Sequence, residues 1–135
     1  MGNSYLLFKG KVSDTHLMIV KNELDRAEAA GNMPDLKPLT SKLKSPILGL
    51  IISILFGFIG FDRFYKGDAW LGIFKILLCI IPVFLLMSAA QNGDNDLAGF
   101  ASLIMCVGIV WCIADLFLVY TGIKKDNFKK IMASL

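Results

Sequence analysis

The stretch from residue 57 to residue 68 reads Gly57-Phe58-Ile59-Gly60-Phe61-Asp62-Arg63-Phe64-Tyr65-Lys66-Gly67-Asp68. Its first five residues are glycine or apolar, and its last seven hold two carboxylates, two cations and two aromatic rings. Aromatic rings favour the level of the lipid headgroups, and Arg and Lys side chains can extend to that level. The stretch therefore predicts a compact polar turn at a membrane surface, with apolar segments on either side.

Three apolar segments surround this turn, at Ile47–Phe61, Ala69–Ala90 and Leu97–Tyr120. They contain 15, 22 and 24 residues, and the first carries no charge. At ~1.5 Å per residue the first segment reaches roughly 22 Å, which is short of the ~30 Å hydrocarbon core, whereas the other two are long enough to span it. We predict an all-α fold, an integral membrane helical hairpin bundle with a membrane domain at residues 46–123.

The composition of the whole chain agrees with a membrane protein and excludes several other classes. Of the 135 residues 56% are apolar and only 19% are charged, against about half and about a quarter in soluble domains. The net charge of +3 is too small and too dispersed for nucleic acid binding. One histidine, and three cysteines that form no C-x-x-C pair, argue against a metal site, a cofactor site and a disulfide framework.

Residues 1–45 form a polar leader ahead of the membrane domain. Ser13 can cap a helix and Gly31 can end it, with apolar positions at helical spacing between them. We predict one short amphipathic helix, which either docks on its own chain or at the membrane surface or binds a partner. Pro34 and Pro38 suggest a linker after it. Residues 124–135 form a basic tail.

Small residues recur four apart along the first apolar segment, at Gly49, Ser53 and Gly57, and Gly60 lies near the same face. In a membrane such a stripe lets another helix approach closely. We predict that these four residues are helix-packing positions.

The distribution of charge predicts which parts lie on the cytoplasmic side. The positive-inside rule puts the lysine-rich tail 124–135 and the turn 62–68 in the cytoplasm, and the acidic loop 91–96 outside. Lys42 and Lys44 fit the rule only if the short first segment enters and leaves on one side. A full crossing by that segment remains the alternative.

Two opposite charges, Lys75 and Asp115, lie inside the second and third apolar segments. Counted from the same side of the membrane, they lie roughly 10 Å and 13 Å deep at the helical rise. Ionisable groups in a membrane usually pair, so one hypothesis is a Lys75–Asp115 ion pair. Exchanging the two residues should then restore the assembly that either single substitution abolishes. The alternative is that Lys75 extends to the headgroups while Asp115 pairs with Arg63.

The motif around the turn resembles the TM-two domain family, small membrane proteins whose two helices are joined by a D-R-F-Y turn. The resemblance rests on Gly57-x-x-Gly60-Phe61-Asp62-Arg63-Phe64-Tyr65-x-Gly67-Asp68, on Leu71-Gly72-Ile73-x-Lys75-x-Leu77, and on Gly108-Ile109-x-Trp111-x-x-Ala114-Asp115-Leu116-Phe117. It covers about residues 44–123, with roughly 25 additional residues between the last two motifs. That insertion is long enough to turn the second helix of the family into a hairpin.

The resemblance implies roles for individual residues but little about activity. It implies that Gly72, Gly108 and Trp111 are packing residues, with Trp111 on the same face as Asp115. The residues of the turn motif, Asp62, Arg63, Phe64, Tyr65 and Gly67, are expected to have a structural role, with Asp62 and Arg63 satisfying helix ends and each other at the membrane surface. The basic tail with Asn127 is similar to that of bacterial members, so we expect a bacterial cytoplasmic membrane.

These observations favour a non-enzymatic membrane module. Hydrolysis within a membrane needs a nucleophile with a base, or paired carboxylates, but Asp115 is the only carboxylate within an apolar segment and His16 is distant in sequence. The predicted partners are the lipid bilayer and either a second copy of the chain or another membrane protein. The alternative function is an oligomeric pore or membrane-depolarising effector, because Lys75 and Asp115 lie inside apolar segments.

Overall fold

The computed structural model of the protein describes residues 3–135, and this part of the chain is all-α. A 3₁₀ turn at Ser4–Phe8 precedes the first helix, and a second one, at Gly57–Ile59, follows the third. The six α-helices in the described range are α1 Asp14–Ala29, α2 Leu36–Ser41, α3 Pro46–Phe56, α4 Phe61–Lys66, α5 Ala69–Asn92 and α6 Asn95–Met132. The predicted all-α fold class is confirmed.

The chain divides into two compact units. The terminal unit contains the residues up to Leu48 together with Tyr120–Leu135, and the membrane unit contains Gly49–Val119. The basic tail, which the sequence suggests is a separate segment, thus forms one unit with the leader.

The terminal unit has an apolar core of its own. Ser13 caps the start of helix α1, because its hydroxyl accepts a hydrogen bond from the backbone of His16 at 3.4 Å. After the helix the chain turns at Gly31, which has φ +71°. The apolar face of α1 buries Val20 and Leu24. They lie in a cluster with Phe8, Val12, Leu39, Leu43 and Ile131. The amphipathic helix therefore packs against its own chain.

The predicted linker after α1 is partly helical. Asp35 caps α2 by accepting a hydrogen bond from the Lys37 backbone at 3.1 Å, and Pro38 is the third residue of this helix. Proline is tolerated in the first turn of a helix because the backbone N–H groups there need no partner within the helix. Pro38 therefore lies within a helix and not in the linker that the sequence suggests.

A buried asparagine joins three distant segments of the terminal unit. Asn127 accepts a hydrogen bond from the backbone N–H of Lys44 at 3.1 Å. Its amide nitrogen donates to the carbonyl oxygens of Lys11, at 2.8 Å, and Lys44, at 2.7 Å. Because its side chain is 1% exposed, these bonds hold the N-terminal segment, the chain before α3 and the end of α6 together without competition from water.

The membrane unit consists of the later part of α3, then α4, α5 and most of α6. The hairpin between α5 and α6 is closed by Gly93, which has φ +66°, and by Asp94, whose carboxylate accepts from the Leu97 backbone at 3.0 Å. Large apolar side chains face outward along both helices, including Trp70 at 82% and Phe117 at 70% exposed. Such a surface is suited to lipid rather than to water.

Three stretches are long and apolar enough to cross a membrane by length and composition, at Leu36–Ile59, Ala69–Asn92 and Asn95–Met132. The first of them is interrupted, because α2 ends at Ser41 and α3 begins at Pro46. Its continuous α-helical part, α3, has 11 residues, which correspond to about 16 Å.

The path of the chain after α3 explains why the first apolar segment is short. The Cβ position of Gly57 lies 3.9 Å from Nζ of Lys75, and Phe58 borders a cavity of about 290 Å³ with Leu78 and Pro82. Residues 57 and 58 therefore lie beside α5 beyond its first turn. The chain then reverses at Gly60, which has φ +80°, and α4 leads it back to the start of α5.

Candidate functional site

A cluster of polar side chains is buried in the middle of the membrane unit. Asp62 and Asp115 are 0% exposed, Lys75 is 1% exposed, and Ser53 and Arg63 are below 7%. They come from α3, α4, α5 and α6, one or two from each helix. We call these five residues the charge network.

Lys75 lies between the two buried carboxylates. Its ammonium group donates to Oδ2 of Asp115 at 2.7 Å and to Oδ2 of Asp62 at 2.9 Å. Because Lys75 is fully buried, it does not extend to the headgroup level. The contact of the first sequence hypothesis, between Lys75 and Asp115, is present in the structure.

Arg63 binds Asp115 from the other side. Its Nε donates to Oδ2 of Asp115 at 3.0 Å, and a terminal guanidinium nitrogen donates to Oδ1 of the same carboxylate. This is the two-point geometry for which the planar guanidinium is suited. The Arg63–Asp115 contact of the second hypothesis therefore coexists with the Lys75–Asp115 contact, because one carboxylate accepts from both cations.

Asp62 is tied to α3 as well as to α5. The hydroxyl group of Ser53 donates to Oδ2 of Asp62 at 2.8 Å. The second carboxylate oxygen, Oδ1, is buried and accepts no hydrogen bond from the residues that the structure describes. Asp62 is therefore the least satisfied member of the charge network.

The charges of the network cancel, since two carboxylates face one ammonium and one guanidinium group. An isolated charge in a membrane interior is costly, and pairing with hydrogen bonds lowers that cost. Removing one member of a buried pair typically costs about 3–5 kcal/mol because the remaining charge loses its partner. The network therefore makes the packing of α3, α4, α5 and α6 mutually dependent.

Asp62 and Arg63 bind other residues instead of each other, which differs from the expected contact between them. Both are buried; Asp62 bonds Ser53 of α3 and Lys75 of α5, and Arg63 bonds Asp115 of α6. Adjacent residues on a helix point in different directions, so Asp62 faces Ser53 and Lys75 while Arg63 faces Asp115.

A smaller ion pair adjoins the network outside the membrane-spanning helices. Asp68 accepts hydrogen bonds from Lys66 and, at 3.4 Å, from Arg63. The hydrogen bond from Lys66 is the main cause that lowers the pKa of Asp68 below its ordinary value of 3.8; partial burial opposes it, and the charges of Lys66 and Arg63 lower the pKa further. Asp68, at the N-terminus of α5, thus stays ionised.

The predicted packing glycines lie where helices approach most closely. A Cβ atom on Gly60 would lie 2.7 Å from the carbonyl oxygen of Gly72, and one on Gly72 would lie 2.9 Å from the ring of Phe64. Gly108 faces Leu78 of α5. Tyr65 and Gly67 complete the turn motif, where Gly67 ends α4 with φ +110°.

The stripe of Gly49, Ser53 and Gly57 is buried within this chain. Gly57 leaves room for the Lys75 side chain, and Ser53 bonds Asp62. The stripe therefore packs inside the molecule.

Trp111 differs from the expectation of a packing residue on the face of Asp115. Its side chain is 41% exposed, whereas Asp115 is fully buried. The two residues are four apart, which leaves an angle of about 40° between them around the helix axis. That angle, together with the length of the indole, places Trp111 at the outer border of the helix contact.

The roles of Ser53 and Asp62 in the network were not recognised from the sequence. The sequence pattern predicts only a small packing residue at Ser53 and a position in a surface turn for Asp62. The sequence does contain a signal for these two roles. Ser53 is the one polar side chain in the uncharged segment Ile47–Phe61, and Asp62 directly follows that segment.

Within residues 3–135 no group of three or more His, Cys, Asp or Glu side chains is arranged to hold a metal ion. The three cysteines are free thiols. His16 stacks on the ring of Phe128 in the terminal unit, with centroids 4.0 Å apart.

Comparison with known families identifies the part of the chain that carries the turn. The family model described as TM2 domain matches residues 42–89, which include α3, α4 and most of α5. The motif at Gly108–Phe117 lies beyond the match. No curated protein and no solved structure matches the chain. Residues 42–89 are therefore similar to the TM2 domain, and the three long apolar helical stretches are those of a membrane protein.

Proposed function

We propose that this protein is a non-enzymatic interaction module of a membrane assembly, which associates with a second copy of itself or with another membrane protein. The observation that carries the proposal is the charge network. Its four charged groups bind one another within the chain, so they serve the packing of the helices.

The outer surface of the membrane unit supports an association through apolar contacts. Aromatic side chains at Trp70, Phe84 and Phe117 are between 68% and 82% exposed. Large aromatic side chains contribute much of the contact energy in protein interfaces. Since the Gly49, Ser53 and Gly57 stripe is used inside the chain, the outward faces of α5 and α6 are the candidate contact surfaces.

Site-specific photocrosslinking in native membranes tests this proposal. We would replace Trp70, Phe84 and Phe117, one at a time, with a photoreactive phenylalanine derivative, which keeps an aromatic ring at each position. We expect a discrete protein adduct of constant mass from at least one position. Its mass and peptide composition distinguish a second copy from another membrane protein.

The matched control is the same variant irradiated after dispersal in excess detergent. Because the association is reversible, dilution separates the partners before irradiation and the yield of the adduct decreases. Adducts with lipid alone at all three positions would contradict the proposal. A ladder of protein adducts without a dominant mass would contradict it as well, because random collision gives that pattern.

The competing hypothesis is an oligomeric pore. It requires Lys75 or Asp115 to face an aqueous path, and the pairing of both residues inside one chain counts against it. Purified protein in liposomes with entrapped potassium distinguishes the two. The interaction module leaves the vesicles tight, whereas a pore releases the ion.

We further propose the bacterial cytoplasmic membrane as the location, with the turn 62–68 and the tail 124–135 on the cytoplasmic side. The charge of the connecting segments supports this orientation, and the bacterial location rests on the resemblance of the tail. The tail holds four lysines, while the loop at residues 91–96 holds Asp94 and Asp96 and no cation.

A further inference from the structure

The positive charge of the terminal unit is concentrated in three short segments. Residues 9–11, 42–44 and 124–130 hold eight lysines and one carboxylate, Asp126, which gives them a net charge of +7. The remainder of the unit holds three cations and five carboxylates, a net charge of −2.

Asn127 brings these three segments together although they are distant in sequence. Its side chain is hydrogen-bonded to the backbone of Lys11 and of Lys44, and it lies between the lysine pairs of the tail. Lys11 is 116 residues away from it along the chain, and Lys44 is 83. The buried amide thus holds three lysine-bearing stretches of backbone together.

These segments directly adjoin the apolar helices. Lys44 lies two residues before the start of α3 at Pro46, and α6 continues without interruption from its apolar part into Lys124–Lys130. Lys9, Lys42, Lys125, Lys129 and Lys130 are exposed. Lysines at the ends of membrane helices extend their ammonium groups to the headgroup level.

We propose that the lysines of these three segments form one basic cluster, assembled by Asn127, that binds the headgroups of anionic phospholipids. The partner is identified by charge and position. The three segments carry a net charge of +7, and two of them are continuous in sequence with apolar helices, α3 and α6; basic segments that directly flank membrane helices attract anionic headgroups. The neutralised charge network in the membrane unit does not contribute to this attraction.

The test uses the full chain purified in a neutral detergent, with thermal unfolding followed through the three free thiols. Phosphatidylglycerol and phosphatidylcholine are titrated into separate samples as mixed micelles. We expect phosphatidylglycerol to raise Tm in a saturable way, phosphatidylcholine to have little effect, and 0.5 M NaCl to suppress the difference, because salt screens exposed charges.

Two triple variants, which each remove three positive charges at different positions, show where the lipid binds. K42Q, K125Q and K129Q together remove three exposed lysines of the cluster. At about fivefold per lysine, they should weaken the apparent Kd for phosphatidylglycerol roughly a hundredfold. K21Q, R26Q and K37Q together remove three exposed cations elsewhere in the terminal unit and should change it less than about threefold.

Three results would overturn the proposal. One is an equal effect of the two lipids at low salt. Another is equal weakening by the two triple variants, which would assign the effect to net charge alone. The third is the same Tm shift with millimolar inorganic phosphate, which would indicate a site for the free ion instead of a lipid surface.

Discussion

Gly60 combines two demands that only glycine meets. Its φ of +80° lies in the left-handed region, and a Cβ atom would lie 2.7 Å from the backbone oxygen of Gly72. The neighbour is backbone, so it has little freedom to move away. This close approach lets the turn at residue 60 lie directly against α5.

We expect Gly60→Ala to destabilise the protein by at least about 2 kcal/mol, since left-handed strain and a backbone clash add together. Gly93→Ala is the matched control, because Gly93 has φ +66° but open space around its Cβ position. It should lose only about 1 kcal/mol. Thermal unfolding in detergent measures both, and equal losses would show that the clash with Gly72 is absent.

The charge network makes a specific prediction for the substitution of Lys75. Lys75→Met leaves Asp62 without its cation, while Asp115 keeps Arg63, and the loss should be about 3–5 kcal/mol. Adding Asp62→Asn removes the unpaired charge and should recover most of this stability. Thermal unfolding of the two variants decides the matter, and a double variant as unstable as the single one would contradict the assignment.

The network also changes the expected result of exchanging the charges at positions 75 and 115. The sequence hypothesis of a simple pair predicts that the exchange restores assembly. In the structure the exchange would place a carboxylate beside Asp62 and a lysine beside Arg63. We therefore expect Lys75→Asp with Asp115→Lys to remain unstable. Recovery to wild-type stability would favour the isolated pair.

Asp68 makes stability depend on pH in acid. Its pKa is lower in the folded protein than the ordinary 3.8, mainly through the hydrogen bond from Lys66 and further through the charges of Lys66 and Arg63. Its contribution is therefore complete above about pH 4 and is lost as the pH falls through the folded-state pKa. We expect the Tm difference between wild type and Asp68→Asn to shrink below pH 4, and a constant difference down to pH 2 would contradict this.

At the scale of helices, the long apolar segments were predictable and the short one was not. Continuous apolar composition predicts α5 and α6 because each can span the bilayer alone. The end of α3 at Phe56, followed by a 3₁₀ turn and the reversal into α4, depends on Gly60 and on the bond between Ser53 and Asp62. Such contacts between helices leave no periodic pattern in the sequence.

The path of α3 predicts that the first apolar segment enters and leaves the membrane on one side. Single cysteines at Ala30, Ala69, Gln91 and Ala133, in a chain whose native cysteines are replaced, test this with a membrane-impermeant thiol reagent. All four positions are exposed. We expect positions 30, 69 and 133 to react from one side and position 91 from the other. Reaction of position 30 together with position 91 would indicate a full crossing.

At the scale of the whole molecule, the chain builds a second core from its two ends. Spacing predicted α1 and its apolar face, but it did not indicate that Ile131 completes the same cluster. The hydrogen bonds of Asn127 reach 83 and 116 residues along the chain. A polar residue in a basic tail gives no sign of such partners.

We expect Asn127→Ala to loosen the terminal unit, because it removes the hydrogen bonds that Asn127 makes to the backbone of Lys44 and Lys11. Each unsatisfied buried group costs about 1–3 kcal/mol. Limited trypsin digestion should then cut faster at Lys9, Lys11 and Lys42. The control is Asn95→Ala, an exposed asparagine at the start of α6. Equal digestion of the two variants would contradict a role for Asn127.

The separation of the network along the chain has a consequence for biosynthesis. Asp115 leaves the ribosome 52 residues after Arg63 and 40 residues after Lys75. When α4 and α5 first reach the lipid, the charge network has both of its cations but only one of its two buried carboxylates, Asp62. We expect α5 to remain beside the insertion machinery until α6 arrives, so that both helices enter the bilayer as one neutral hairpin.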